Sequence, residues 1–129
     1  MKHENTLFSK SLLGWYDINK RTLPWRSESD PYRIWLSEIM LQQTQTERVS
    51  HYYFKWLKRF PSLKSVAKAK EESLLKVWEG LGYYNRCRNF HSAAKTVIKD
   101  YNGKIPNEFE LFRALPGIGD YTAASVLSI

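Results

Sequence analysis

Apolar residues recur at helical spacing along most of the chain, and no segment alternates for long enough to predict a strand. Asp30 followed by Pro31 is typical of a helix start, with an acid as N-cap and proline in the first turn. The pattern predicts helices at about residues 7–18, 31–43, 47–60, 63–69, 71–78, 88–101, 107–114 and 120–129. We therefore expect an all-α fold in which the helices pack as an orthogonal array.

Turn and cap residues separate these predicted helices. Pro61 ends the helix before it, and Gly103 suits the C-terminal cap of helix 88–101. Asn107 with Glu110 three residues later fits a capping box. The stretch LPGIGD, residues 115–120, predicts a tight hairpin between two short helices, and Asp120 would cap the second of them.

Composition and charge narrow the class of protein. A chain of 129 residues with 43% hydrophobic residues suits one modest domain. A net charge of +7 and 15% aromatic residues favour a nucleic-acid partner, although a merely basic protein would share both numbers. The chain's single cysteine, Cys87, rules out an internal disulfide and a cysteine metal cluster and favours a reducing compartment.

Other absences in the sequence add three expectations. No histidine has metal-ligand spacing, so we predict no metal site and expect His51 and His91 on the surface or on a helix face. The chain has no apolar stretch typical of an export signal or a membrane span. We therefore expect a cytoplasmic protein, associated with the nucleoid if the source is prokaryotic.

The segment LPGIGDYTAA, residues 115–124, carries the most specific signal. Free N–H groups at the start of a helix bind a phosphate oxygen without a cationic side chain. We predict such contacts at Gly117, Ile118, Gly119 and Thr122. The pattern resembles the helix-hairpin-helix DNA-binding motif, here about residues 108–129, which grips phosphates and reads no sequence. A plain tight connection between helices is the alternative.

Glu38 lies within an apolar stretch of helix 31–43. Ile34 and Leu41 fall within about 60° of it around the helix, so its carboxyl group should be buried. Burial disfavours the carboxylate and raises the pKa, and a carboxyl that stays protonated can donate its proton to a leaving group. The alternative is a structural glutamate paired with a helix end, with Arg26 or with Arg33.

Two polar segments flank that helix. Gln42, Gln43 and Thr44 can reach base edges and phosphates, or they can cap the helix end. Trp25 and Arg26, in LPWR, could form the floor of a pocket for a planar base. They could equally anchor the first helix to the rest of the domain.

A glycine-bounded turn, GLGYYNR, brings aromatic and cationic side chains together. Tyr83 and Tyr84 follow Gly80 and Gly82, and Arg86 comes two residues later. Such a turn suits stacking on bases or wedging between them. The alternative is that the arginine is solvated, and we expect at least one of the two tyrosines to belong to the core.

Taken together, LPWR, DPYRIWLSEIMLQQTQ, FPSLKSVAKA, WEGLGYYNRCRNFHSAA and LPGIGDYTAASVLSI resemble MutY-type adenine DNA glycosylases of the helix-hairpin-helix superfamily. The resemblance runs from about residue 7 to 129, and it implies that residues 1–129 form the N-terminal part of a glycosylase domain. The sister endonuclease III-type enzymes carry a Schiff-base lysine where this chain has Tyr121, and they lack the glutamate at Glu38. The resemblance is therefore to the adenine-excising branch.

The resemblance implies a monomeric base-excision enzyme acting on double-stranded DNA. It would flip out an adenine mispaired with 8-oxoguanine or guanine and hydrolyse its N-glycosidic bond. Glu38 would protonate the adenine, and Tyr121 would support the transition state from the hairpin side. The substrate-binding residues would be Trp25, Arg26, Leu41, Gln42, Gln43, Thr44, Tyr83, Tyr84 and Arg86.

In the family, the catalytic aspartate, a four-cysteine 4Fe–4S segment and the domain that recognises 8-oxoguanine all come later in the chain. The resemblance thus implies that these 129 residues carry the acid, bind no cofactor and excise little adenine alone. A non-catalytic helix-hairpin-helix DNA-binding module is one alternative. A purely structural helical domain, with Glu38 in an internal ion pair, is another.

Overall fold

A computed structural model of the chain describes residues 30–42 and 46–128, and within these ranges every regular element is a helix. The helices are α1 (Pro31–Leu41), α2 (Thr46–Arg59), α3 (Leu63–Lys68), α4 (Glu71–Trp78), α5 (Tyr84–Asp100), α6 (Phe109–Arg113) and α7 (Asp120–Ser128). The all-α prediction is confirmed. The predicted helix 7–18 lies outside the described residues.

Helix α1 begins as its sequence predicts. The Asp30 carboxylate accepts a hydrogen bond from the Tyr32 N–H at 2.9 Å, and Pro31 occupies the first turn. The cap satisfies one of the N–H groups that a helix start leaves unpaired, and proline has no N–H to satisfy. The start of the helix that carries Glu38 is therefore fixed by local sequence.

Two predicted helix starts are wrong. Helix α5 begins at Tyr84 rather than residue 88, because Tyr83 adopts the left-handed conformation (φ 49°) and turns the chain directly into the helix. The N-cap of α6 is Glu108, with extended backbone and no side-chain cap bond. Glu110 is then the second helical residue, not the third, so the capping box predicted from Asn107 cannot form.

Aromatic rings join five of the helices in the core. Trp35, Trp56 and Trp78, from α1, α2 and α4, are fully buried. Trp35 meets Phe90 of α5 edge-on at 4.8 Å and Phe112 of α6 at 5.1 Å, and Trp56 meets Trp78 at 5.7 Å. Edge-to-face contacts of this kind add stability beyond the area that the rings bury. The helix that carries Glu38 is thus packed against rings from α5 and α6.

A buried hydrogen-bond chain ties α1 to the end of α2. The indole N–H of Trp56 donates to the Tyr32 hydroxyl at 2.9 Å, and that hydroxyl donates to the carbonyl of Phe60. Burial raises the pKa of Tyr32 well above its ordinary value. The tyrosine therefore stays neutral and keeps donating, which fixes the position of α1.

Helix α5 forms the centre of one side of the fold, where α3 and α4 pack against it. His91 lies on its buried helix face with Cys87 and Phe90, one of the two places that the sequence predicts for it, and His51 is exposed. Burial lowers the pKa of His91 and raises the pKa of Cys87 to about 12. Both side chains therefore act as neutral core residues. Within residues 30–42 and 46–128, no helix has the length and apolarity needed to cross a bilayer.

Candidate functional site

Glu38 is the buried acid of the described structure. Its side chain is 6% exposed, whereas every other aspartate and glutamate within residues 30–42 and 46–128 is exposed. Burial raises the pKa of Glu38, and a hydrogen bond with Ser125 offsets part of that rise. Oε1 of Glu38 has no hydrogen-bond partner among the described residues. The protonated form of this carboxyl is thus favoured more than that of an ordinary glutamate.

Helix α7 packs against α1 and supplies the partners of its polar residues. Ser125 contacts Glu38, and one turn further along α1 the Gln42 amide donates to the Thr122 hydroxyl at 2.6 Å. Ser125 and Thr122 are 1% and 3% exposed. Because the Thr122 side chain faces α1, the predicted phosphate contact at Thr122 would have to use its main-chain N–H. Base contacts by Gln42 stay a prediction.

Tyr121 lies at the exposed edge of this helix contact. Its side chain is 54% exposed. Partial burial raises the pKa of Tyr121, and the charge of Glu38 adds to that rise. The structure therefore brings together the two residues that the sequence analysis assigned to catalysis.

Arg86 holds the C-terminal end of α1. Its guanidinium donates to the carbonyls of Ile39 at 2.7 Å, Met40 at 3.3 Å and Gln42, and also to that of Gly82 at 3.3 Å. The last carbonyls of a helix lack intrahelical partners, and an arginine fork can satisfy several of them at once. Arg86 was predicted to bind substrate, but the described contacts of its guanidinium are internal.

Tyr83 and Tyr84 are 59% and 39% exposed, so the prediction that at least one belongs to the core is wrong. The Arg86 guanidinium lies 5.4 Å from the Trp78 ring centre and 5.2 Å from that of Tyr83. The Tyr84 hydroxyl accepts from the Gly80 N–H at 3.2 Å. Both rings are left at the surface, where a nucleic-acid base could stack on them.

A cleft of about 420 Å³ opens beside these rings. Its lining residues are Gln42, Tyr83, Tyr84, Asn85, Arg86 and Arg88. A larger hollow, of about 1030 Å³, includes Asp30 and Gly103 in its lining and contains none of the predicted site residues. The smaller cleft is therefore the candidate for contact with substrate.

The hairpin between α6 and α7 has a buried apolar residue between two exposed glycines. Ile118 is 8% exposed and plugs into the core, whereas Gly117 and Gly119 are exposed. Gly117 has φ +76°, and a Cβ added there would lie 2.5 Å from Cβ of Asn89 in α5. The Ile118 N–H donates to the Leu115 carbonyl at 3.1 Å, so a phosphate contact through that group is not available, and the contacts at Gly117 and Gly119 stay predictions.

Gly117 and Gly119 form a matched pair for testing the hairpin. Gly117→Ala should lower the free energy of unfolding by roughly 1–3 kcal/mol, because alanine disfavours positive φ and collides with Asn89. Gly119→Ala should leave it nearly unchanged, since a Cβ there meets no atom within 4 Å. Urea denaturation of the purified variants checks this. Equal losses in the two variants would contradict the role assigned to Gly117.

Several sequence predictions fall outside the described residues. Trp25, Arg26, Gln43 and Thr44 are not described, so their roles stay predictions. In the part of the chain that is described, no group of three or more His, Cys, Asp or Glu side chains is arranged to hold a metal ion. Ser125 and Asn89 were missed. Ser125 follows Tyr121 by four residues and so shares its helix face, which is a signal that the sequence did contain.

Comparisons with known proteins show the family to which the chain belongs. Residues 36–126 match the family model described as HhH-GPD superfamily base excision DNA repair protein. The adenine DNA glycosylase of Buchnera aphidicola subsp. Baizongia pistaciae is 44% identical over 123 residues, which is 95% of this chain and 35% of that protein. Human adenine DNA glycosylase is 42% identical over 135 residues, 98% of this chain and 25% of its own length. The chain thus spans about a quarter to a third of these relatives.

Solved structures share the fold. A thermostable thymine-DNA glycosylase superposes with a TM-score of 0.77 at 29% identity, covering 98% of this chain and 58% of that one. A trapped endonuclease III–DNA covalent intermediate superposes with a TM-score of 0.76 at 19% identity, covering all of this chain and 60% of that one. The second likeness is evidence for the fold alone.

Proposed function

Because the chain belongs to the HhH-GPD superfamily of base excision DNA repair proteins, we propose that it forms the part of an adenine DNA glycosylase that supplies the proton donor and grips the DNA backbone. The observation that carries the proposal is the burial of Glu38. It is the one buried acid among the described residues, burial raises its pKa, and its helix packs against α7, which carries Tyr121. Surface acids that stay ionised could not do this work.

The proposed substrate is double-stranded DNA that contains adenine opposite 8-oxoguanine or guanine. An adenine inside the duplex is out of reach of a buried acid, so the base has to leave the stack and enter a pocket. The exposed rings of Tyr83 and Tyr84 beside the cleft at Gln42 suit the wedge that fills or opens the base stack. Leu41, half-buried at the end of α1, suits the apolar wall of the adenine pocket.

The proposed reaction is hydrolysis of the N-glycosidic bond. Glu38 donates its proton to the adenine ring, which turns the base into a neutral leaving group. Positive charge then develops on the sugar, and a carboxylate stabilises it while water attacks. The resemblance to the family implies that this second carboxylate is an aspartate from another part of the protein. Tyr121 would support it from the hairpin side.

The proposed contact with the DNA backbone lies at the hairpin. The main-chain N–H groups of Gly117, Gly119 and the first turn of α7 would hold a phosphate next to the flipped nucleotide, whereas the N–H of Ile118 already donates to the Leu115 carbonyl at 3.1 Å. The net charge of +7 would strengthen binding to the backbone at large. Contacts of this kind position the duplex without reading its sequence. We propose that the protein acts as a monomer on genomic DNA.

A 4Fe–4S cluster belongs to the longer family protein in this proposal, and the residues of this chain do not fit it. A cluster of this type needs four cysteine thiolates. The chain has one cysteine, Cys87, and it is fully buried with a raised pKa. The steps proposed above therefore use only side chains and main-chain groups.

Single-turnover excision by the full-length protein tests the proposal. Duplexes of one sequence would carry adenine opposite 8-oxoguanine, guanine or thymine, and alkali cleavage would reveal abasic sites. Release of adenine from the first two duplexes and not from the third is the expected result. Tight binding of all three with release from none would replace the glycosylase by a non-catalytic DNA-binding module.

A further inference from the structure

The turn that carries the exposed tyrosines has an unusual backbone. Between α4 and α5, Gly80, Gly82 and Tyr83 have positive φ angles of 93°, 83° and 49°. Glycine adopts such angles readily, whereas another residue persists there only where the surrounding structure holds it. Leu81 within the turn is buried, but the rings of Tyr83 and Tyr84 lie at the surface. Contacts from outside the turn therefore decide the direction in which these two rings project.

Two residues of α2 hold the first half of this turn. Helix α2 packs against α4, and Arg48 and Tyr52 lie four residues apart on α2, so they share one helix face. The Arg48 guanidinium donates to the Gly80 carbonyl, and the Tyr52 hydroxyl donates to the Glu79 carbonyl at 2.7 Å. A Cβ added at Gly80 would collide with the Tyr52 hydroxyl, so glycine is what allows this close approach. Both bonds end on main-chain atoms and so fix the backbone of the turn itself.

The position of Gly80 in turn affects Tyr84. The Gly80 N–H donates to the Tyr84 hydroxyl at 3.2 Å, while the Gly80 carbonyl accepts from Arg48. The second half of the turn is held separately, because the Gly82 carbonyl accepts from the Trp78 indole N–H at 2.8 Å. A shift of Gly80 away from α2 would therefore loosen the Tyr84 ring and one end of the turn, even with the contacts of Gly82 intact.

We propose that Arg48 and Tyr52 are positioning residues for the wedge that opens the base stack: they hold the turn so that the rings of Tyr83 and Tyr84 project in one direction. The inference rests on the proposed function, in which these rings enter the stack. The sequence analysis assigned no role to either residue of α2, and neither lines the cleft beside Gln42. Both would act through the turn and would not touch the adenine.

A wedge depends on the rigidity of the backbone beneath it. Inserting a ring between bases unstacks them, so the ring has to enter at the right place and angle. A turn that can tilt would spread the two rings over several directions, and ordering them at the moment of insertion would slow the opening of the stack. Bonds that the protein makes before it meets DNA remove that cost in advance. The bonds from Arg48 and Tyr52 are of this kind.

The rate of stack opening by the full-length protein tests the inference. 2-Aminopurine beside the target adenine fluoresces when it is unstacked, and stopped-flow mixing with saturating protein gives the rate constant of that rise. Tyr52→Phe, which removes only the hydroxyl, should lower it roughly fivefold, and Arg48→Ala roughly tenfold, because a charged donor makes the stronger bond. Arg48→Lys should keep most of the parental rate, since an ammonium group can still donate to a single carbonyl. A variant that merely loses folded protein needs a higher concentration to saturate and keeps the parental rate constant.

Lys55→Ala and Tyr101→Phe are the matched controls. Lys55 is an exposed cation seven residues after Arg48 on α2, so its removal changes the charge and leaves the turn in place. Tyr101 is a half-buried tyrosine at the C-cap of α5, and it lines the larger hollow instead of the cleft. Both control variants should open the stack at the parental rate.

Parental opening rates in both Arg48→Ala and Tyr52→Phe would overturn the inference. Equal slowing by Arg48→Ala and Lys55→Ala would also overturn it, since loss of charge would then be the cause. A parental protein that leaves the fluorescence unchanged would overturn it together with the wedge. The proposed function fails separately: if the parental protein opens the stack but releases adenine from no duplex, it is not a glycosylase, and the rate constants still decide the roles of Arg48 and Tyr52.

Discussion

Glu38→Gln should reduce the single-turnover rate of adenine release by a factor of about 10²–10⁴, the usual worth of a positioned general acid. Glutamine has nearly the shape of glutamate and is neutral, but its amide cannot deliver a proton to the leaving base. Because Glu38 is 6% exposed and its pKa is raised by burial, a neutral side chain suits the site. The variant should therefore fold as well as the parent and bind DNA with similar affinity.

Glu72→Gln is the control for this experiment. Glu72 is exposed in the first turn of α4, so it offers the same chemical change without the burial. Excision should persist in that variant. Excision assays on duplex with adenine opposite 8-oxoguanine, run beside fluorescence-anisotropy binding, would separate chemistry from affinity. A Glu38→Gln protein that binds weakly and melts early would indicate that Glu38 is structural.

Arg86→Ala should lower the free energy of unfolding by roughly 1.5–3 kcal/mol, the typical worth of hydrogen bonds to a charged group. The guanidinium donates to three carbonyls at the end of α1 and to Gly82, and alanine would leave these acceptors without it. It would also remove the contacts of the guanidinium with the rings of Trp78 and Tyr83. Urea denaturation measures the loss.

Arg88→Ala is the matched control, because Arg88 lies two residues further along α5, is exposed and bonds Asn85. Its removal should cost little stability, although it could weaken DNA binding by losing a charge at the cleft. Arg86→Lys should recover only part of the loss, since an ammonium group cannot serve several carbonyls in a planar fork. If the Arg86 and Arg88 variants were equally stable, the clamp on α1 would be refuted.

The helices could be predicted from the sequence because their signals are local. Periodicity and the Asp30–Pro31 start placed α1, and Pro61 marked the boundary after α2. The start of α5 could not be placed, since it depends on a tyrosine in the left-handed region, which L-residues seldom adopt. The burial of His91 was in principle visible, since it shares the helical face of Cys87.

The candidate site could be predicted only where a single motif contains the necessary information. Glu38 was recognised as buried from its own helix, but its partner lies on a helix far along the chain. The Gln42–Thr122 bond likewise joins residues 80 apart in sequence. Packing between distant helices decides such pairs, and no periodic pattern encodes it. Arg86 shows the same limit: its turn suggested a solvated or substrate-binding side chain, while the end of α1 supplied its partners.

The contacts around Gln42 link the movements of α1, α5 and the hairpin. Gln42 bonds Thr122 through its side-chain amide and Arg86 through its main-chain carbonyl. Three residues beyond Arg86 in α5, Asn89 lies against Gly117. The hairpin that contains Gly117 leads back to Thr122. These links close a ring. If these contacts did not form a closed ring, one helix could move without the others. Because they do, a displacement at one contact affects all of them. A displacement of the hairpin by a bound phosphate would therefore be passed on to Gln42, Arg86 and the C-terminal end of α1.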